Sequence, residues 1–163
     1  MGTKESCTCD KCKSDCLFKP GWFMPDEIAP LAEYLSLTIQ ETFDQYLLID
    51  WWVVTGGNDI YTISPCVTHL SPGGQFTWAA GGKCVFYKDE RCAIHPVKPF
   101  ECREALHDTF HDGSDDTTHE KVAMAWKEKQ MFIKVISGEE PKQVNATLTD
   151  LLNMFIDNCG ASE

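Results

Sequence analysis

The chain has 163 residues, a 43% apolar share and a formal net charge of −11, which is enough length and apolar content for one domain with its own core. Its fourteen Lys and Arg are scattered among twenty-five Asp and Glu with no basic stripe, which argues against a nucleic-acid or anionic-membrane partner. The opening MGTKESCTCD lacks an apolar leader core, and no stretch approaches the roughly 20 apolar residues of a membrane span, so a cytoplasmic protein is expected.

Residues 1–16 are polar and small apart from Cys7, Cys9, Cys12 and Cys16. They carry neither a helical nor a strand period, so an irregular arm is expected, shaped by whatever the thiolates bind. Nine cysteines in a chain without a secretion signal favour metal over disulfides, because the cytosol keeps thiols reduced. Phe18 to Pro25 follows, with Pro20-Gly21 as a turn and Trp22, Phe23 and Met24 as an apolar plug for one side of the site.

From Asp26 onward, Ile28, Leu31, Ala32 and Leu35 share one helical face, with Pro30 in the first turn or just ahead of the regular part. Thr38 and Glu41 form a capping-box pair, and Ile39, Phe43, Tyr46, Leu47 and Leu48 supply the stripe of the helix they open. Residues 50–55 and 60–64 are β-prone runs joined by Gly56-Gly57-Asn58-Asp59, which predicts a hairpin with Trp51 and Trp52 on opposite faces. Residues 65–82 are turn-rich. Val85 to Tyr87 then predicts a brief strand, Lys88 to Arg91 a charged turn, and Pro96 and Pro99 a stiff irregular segment carrying Cys102.

Residues 103–112 suggest a short helix and Asp112 to Asp116 an acidic loop. Thr117 with Glu120 marks a capping box for a helix through Val122, Ala125, Trp126, Met131, Phe132 and Val135 to Gly138, and Leu148 to Ile156 predicts a last amphipathic helix. The expected fold is α+β. It is a single, mostly helical domain over 1–163, with a small antiparallel β-hairpin, long metal-organised loops and residues 1–16 as a metal-ordered arm.

The chemistry concentrates in residues 82–103, GKCVFYKDERCAIHPVKPFECR, where Cys84, Cys92 and Cys102 have seven and nine residues between them. Such spacings need a fold to converge, and the N-terminal cysteines are the natural partners. Together the N-terminal cysteines, PGWF at Pro20 to Phe23 and this box resemble the YkgJ-like cysteine-cluster family, proteins described as zinc- or iron-chelating. The family's pattern falls on Cys84 and Phe86, then on Cys92, Ile94 and His95, then on Lys98 and Pro99 ahead of Cys102 and Arg103. The resemblance spans residue 7 to roughly residue 110. The chain departs from the family at the first cluster, where C-x-C-x2-C-x3-C replaces the commoner ending in two adjacent cysteines. Flagellin lysine methylases carry a similar box, but no glycine-rich cofactor loop supports that activity here.

Thiolates are soft anionic ligands, so the expected metal ligands are Cys7, Cys9, Cys12, Cys16, Cys84, Cys92 and Cys102. Two four-ligand centres need one more donor, and His107 is the first choice for it. His95 is the second choice, and His107 and His111 stand at the i,i+4 spacing of paired histidine ligands. The expected group is an iron–sulfur cluster of the [4Fe–4S] kind, or iron, in a redox, sensing or enzyme-accessory role. A structural zinc site in a domain that binds a protein partner is the alternative. A metal-dependent enzyme using His107 or His111 is a third reading, although no nucleophile elbow, phosphate loop or dinucleotide fingerprint is present. Lys98 and Arg103 are expected to offset a negative cluster. Cys66 is open between ligand and buried residue, and Cys159 is expected to be inert.

Overall fold

The computed structural model of the chain describes residues 10–18, 20–77, 82–104 and 116–139, with Leu148 and Leu152. Its first element corrects the expectation of an irregular arm, because residues 10–18 form helix α1 (Asp10–Phe18). The segment has no apolar stripe, which is why periodicity does not reveal it. Asp10 in the first turn suits the positive end of the helix dipole. At the other end the Leu17 carbonyl accepts the amide of Cys84 at 2.7 Å, so the helix is tied to the later box by backbone. Positions 12 and 16 fall one turn apart along α1.

A 3-10 turn at Pro25–Glu27 leads into α2 (Ile28–Leu35), with Pro30 in its first turn, where a missing amide is tolerated. Helix α3 (Ile39–Tyr46) opens with the expected capping box: the Glu41 amide donates to Thr38 Oγ1 at 3.1 Å and the Thr38 amide to Glu41 Oε2 at 2.8 Å. The helix stops before Leu47 and Leu48, which the apolar stripe had included. Leu47 is extended, at φ −117° and ψ 164°, and starts β1 (Leu47–Trp52), which pairs antiparallel with β2 (Ile60–Pro65) from Leu47↔Pro65 to Trp52↔Ile60. A contiguous run such as LLI satisfies either period, and pairing with Ile63 to Pro65 decides for the strand.

Neither edge of this hairpin is left open. On the β1 side the Ile49 amide donates to Gly74 O at 2.9 Å and Ile49 O accepts the Phe76 amide at 2.8 Å. On the β2 side the Phe23 amide donates to Ile63 O at 2.9 Å, and the Gln130 side chain bonds both the Tyr61 amide, at 3.1 Å, and the Tyr61 carbonyl, at 2.9 Å. Covered edges resist further strand pairing.

The box follows as β3 (Tyr87–Lys88) and β4 (Arg91–Cys92), joined through Asp89 and Glu90 at φ 49° and 60°, the backbone of a tight primed hairpin turn. Pro96 sits in a 3-10 turn at His95–Val97. The stiff irregular segment expected at Cys102 is instead helix α4 (Phe100–Glu104), which begins directly after Pro99. A proline restricts the residue before it and not the one after. The predicted long helix to Gly138 is two, α5 (Asp116–Lys127) and α6 (Gln130–Ile136), separated at Glu128 and Lys129. The break lets both helices turn their apolar faces inward.

Phe23, Ile28, Leu31, Leu47, Ile63, Val122, Trp126 and Phe132 are all fully buried. Trp126 is central, and its Nε1–H donates to Phe23 O at 2.6 Å, so burying the indole strands no polar atom. Leu148 and Leu152 are helical and Leu152 is buried; the rest of the last predicted helix lies outside the described residues. The architecture is the expected one, a mostly helical α+β fold with a small antiparallel hairpin. No helix of the described residues is long and apolar enough to cross a membrane.

Candidate metal centre

Four elements bring thiols toward one place: α1 carries Cys16, β4 carries Cys92, α4 carries Cys102, and Cys84 lies just ahead of β3. Cys84 is anchored twice, through its own amide to Leu17 O and through an antiparallel bridge to Val67. Cys102 is anchored by the Gly21 amide, which donates to its Sγ at 3.4 Å. That turn has no room for a side chain. A Cβ at Gly21 would stand 2.6 Å from Glu101 Cβ and 3.2 Å from Cys102 Sγ, so only glycine lets the PGWF turn close over α4.

The thiols share an environment. Burial pushes the Cys84 thiol up to about 12, opposed by the amides of Phe86 and Tyr87, while Cys92 and Cys16 add like charge. Burial raises Cys92 as well, with the Ile94 amide and Lys98 pulling it back and Cys16 adding to the rise. Cys102 is raised most strongly, by burial first, against the Gly21 amide and with Cys16, Cys84 and Cys92 all contributing like charge. The Gly21 amide on Cys102 Sγ is a donor of the kind that favours a thiolate. A cation placed among the thiols would remove the cost of burying their charge.

Cys66 is likewise raised by burial and held back by an amide, that of Val67, but no other described thiol acts on it. It is fully buried, and its S–H donates to Val67 O at 3.3 Å and Leu70 O at 3.5 Å, so it is satisfied as a neutral thiol. Lys98 lies near enough to Cys92 to pull its thiol back down. Arg103 does not serve the thiols: its guanidinium pairs with Glu27, and Nη1 donates to Lys98 O at 2.9 Å. His95 is partly buried in its 3-10 turn, and burial and Lys98 hold its imidazole below the usual range. Cys7, Cys9, His107, His111 and Cys159 lie outside the described residues, as does the side chain of Cys12. Among the described residues no three or more Cys, His, Asp or Glu stand close enough together to hold a metal ion.

Beside the box lies a second polar cluster that the sequence does not announce. Glu101, next to Cys102, is buried, and its Oε2 accepts the Trp22 amide at 2.7 Å. Its Oε1 lies 2.7 Å from His119 Nδ1. The Trp22 indole donates to Asp50 Oδ2 at 2.9 Å. The His119 ring meets Trp22 edge-on, with centroids 5.0 Å apart, and lies near-parallel to Trp52 with centroids 6.4 Å apart. Burial raises the Asp50 carboxyl; the Trp22 indole and Trp51 amide lower it, Glu101 raises it and His119 lowers it.

No protein-family model, curated protein or solved structure matches the chain.

The signals for the box were its cysteine spacings and prolines. For the second cluster there was no equivalent, since Glu101 reads as one more charge in a mixed stretch and His119 as a helix-start residue. Trp22 and Glu101 are 79 positions apart, and nothing local to either residue marks the pair.

Proposed function

We propose that the protein is a YkgJ-like cysteine-cluster protein that holds an iron–sulfur cluster, or iron, through thiolates from two segments, in a redox, sensing or accessory role. Cys84, Cys92 and Cys102 from the box and Cys16 from α1 are the primary ligands. Cys7, Cys9 and Cys12 are the further donors, with His107 completing a second set. The observation that carries this reading is the gathering of the thiols from two segments: Cys16, Cys84 and Cys92 all act as like charge on Cys102, whose Sγ accepts the Gly21 amide at 3.4 Å. Hydrogen bonds from backbone to sulfur stabilise metal-bound thiolates and tune cluster potential. The backbone bond from Cys84 to Leu17 adds support, because it ties the end of α1 that carries Cys16 to the box. Bound metal is expected to draw the four sulfurs into ligation distance, since soft thiolates close around such an ion.

Structural zinc is the second reading. Four thiols, those of Cys16, Cys84, Cys92 and Cys102, are the number that a closed, all-thiolate zinc set takes. Anaerobic purification followed by metal and acid-labile sulfide counts separates the two. A brown protein with iron and sulfide supports the cluster, and a colourless protein with about one zinc per chain supports the structural site. A protein that takes up neither metal with micromolar affinity or better sinks both.

A further inference from the structure

Helix α4 has five residues, too few to be stable by itself in water, and it carries Cys102. Residues 21–27 and α4 exchange carboxylates. Glu27 Oε2 accepts the Phe100 amide at 2.9 Å, and Glu101 Oε2 accepts the Trp22 amide at 2.7 Å. Between these two bonds the Gly21 amide donates to Cys102 Sγ at 3.4 Å. Arg103, the next residue, forms an ion pair with Glu27. Every α4 position from 100 to 103 is thus held from the same segment.

Packing alone does not account for this arrangement. The Glu27 side chain is 12% exposed and that of Glu101 6%, and burying a carboxylate costs more than burying an apolar side chain of the same size. Turn capping does not account for Glu27 either. Its Oε2 closes the 3-10 turn by accepting the Met24 amide at 2.8 Å, and a glutamate with that task only would need no partner 73 positions away. The Phe100 amide opens α4, so no carbonyl within the helix can accept it. A directed bond to that amide fixes the helix along its axis and in rotation, which apolar contact does not. Cys102 stands two residues further on, with Cys16, Cys84 and Cys92 all near enough to act on its thiol.

We propose that Glu27 is the positioning residue for the Cys102 thiol: by binding the first amide of α4 it holds that sulfur toward the other thiols before any ion arrives. The consequence for metal rests on the proposed function, since a soft cation would then meet the Cys102 ligand already in place. Residues that orient ligands in this way change metal affinity by about tenfold or more when they are replaced.

The test uses the full chain, reduced and chelated, with iodoacetamide as the probe and the modification of each cysteine followed by mass spectrometry. Thiols closed off by packing react through opening of the chain around them. Cys66, fully buried and bonded to Val67 O and Leu70 O, reports global opening in the same sample. Glu27→Met keeps the volume and removes the acceptor, and is expected to raise the Cys102 rate about tenfold or more relative to that of Cys66. Glu27→Gln keeps an oxygen for the two amides and is expected to stay within about threefold of the unmodified chain. Zinc affinity, measured against a chromogenic chelator, is expected to fall about tenfold or more in Glu27→Met and to be largely restored in Glu27→Gln. A Glu27→Met chain whose Cys102 gains no reactivity over Cys66 overturns the proposal, as does one that keeps its zinc affinity within about twofold. If the unmodified chain takes up no metal, the proposed function falls, and the alkylation ratio still decides whether Glu27 holds Cys102.

Discussion

Around the β1–β2 hairpin, Phe23, Ile63, Trp126 and Phe132 are wholly buried, and both strand edges have partners. The thiol box is built from thinner material: a nine-residue helix, two strands of two residues each and a five-residue helix. What sits at its centre is sulfur, raised by burial and by mutual like charge. The first region closes because apolar area leaves water. The second gathers groups that oppose one another's ionisation, and a bound cation is the natural counterweight. The two regions meet at the Gly21-Trp22 turn, where Gly21 adjoins Cys102 and Trp22 is buried.

The comparison is broken most forcefully from the apolar side. Trp126→Ala removes the central buried ring and orphans Phe23 O, for an expected loss of about 3–5 kcal/mol, measured by urea unfolding. A loss below about 1 kcal/mol would show that the hairpin core is not the stabilising half. From the other side, Cys92→Ser or Cys102→Ser is expected to remove most of the bound metal. It should speed amide exchange in α1 and β3–β4 while leaving Ile49 and Ile63 protected. Equal loss of protection in both places would mean that the halves unfold as one unit.

Gly21→Ala acts at the seam. The new methyl group meets Glu101 Cβ and Cys102 Sγ, and the expected cost is about 1–3 kcal/mol, with lower metal retention and a weakened Trp22–Glu101 bond. An alanine variant of unchanged stability and metal content would place the seam elsewhere.

The pH dependence of the metal-free, reduced protein sharpens the contrast further. Folding raises the Cys84, Cys92 and Cys102 thiols, so their contribution to stability is whole below the ordinary cysteine range. It is lost as pH climbs through that range toward about 12, where Cys84 titrates. Bound metal displaces those protons, so metal affinity is expected to rise over the same interval. A chelated protein whose urea midpoint does not fall between about pH 8 and 10.5, beyond any fall shown by a Cys84→Ser/Cys102→Ser double variant, would contradict the burial of these thiols. The smallest effect is expected at Cys66→Ser. Its hydroxyl can keep the bonds to Val67 O and Leu70 O, so metal content stays the same and stability changes by about 1 kcal/mol or less.

The residues themselves determined the helical and strand periods, the Thr38 cap, the hairpin near residue 56 and the cysteine box, because each is written in neighbouring positions. Local pattern was misleading where two periods fit the same run, as at Leu47 and Leu48, and silent where a helix lacks an apolar stripe, as in α1. Only the tertiary structure could bring the Gly21 amide onto Cys102 Sγ and turn the Cys66 thiol to the carbonyls of Val67 and Leu70. It alone could also seat His119 on Glu101 between two tryptophans. Those pairings join positions far apart in the chain, and their geometry is set by how α4, α5 and the Gly21 turn pack, which no short stretch of sequence encodes.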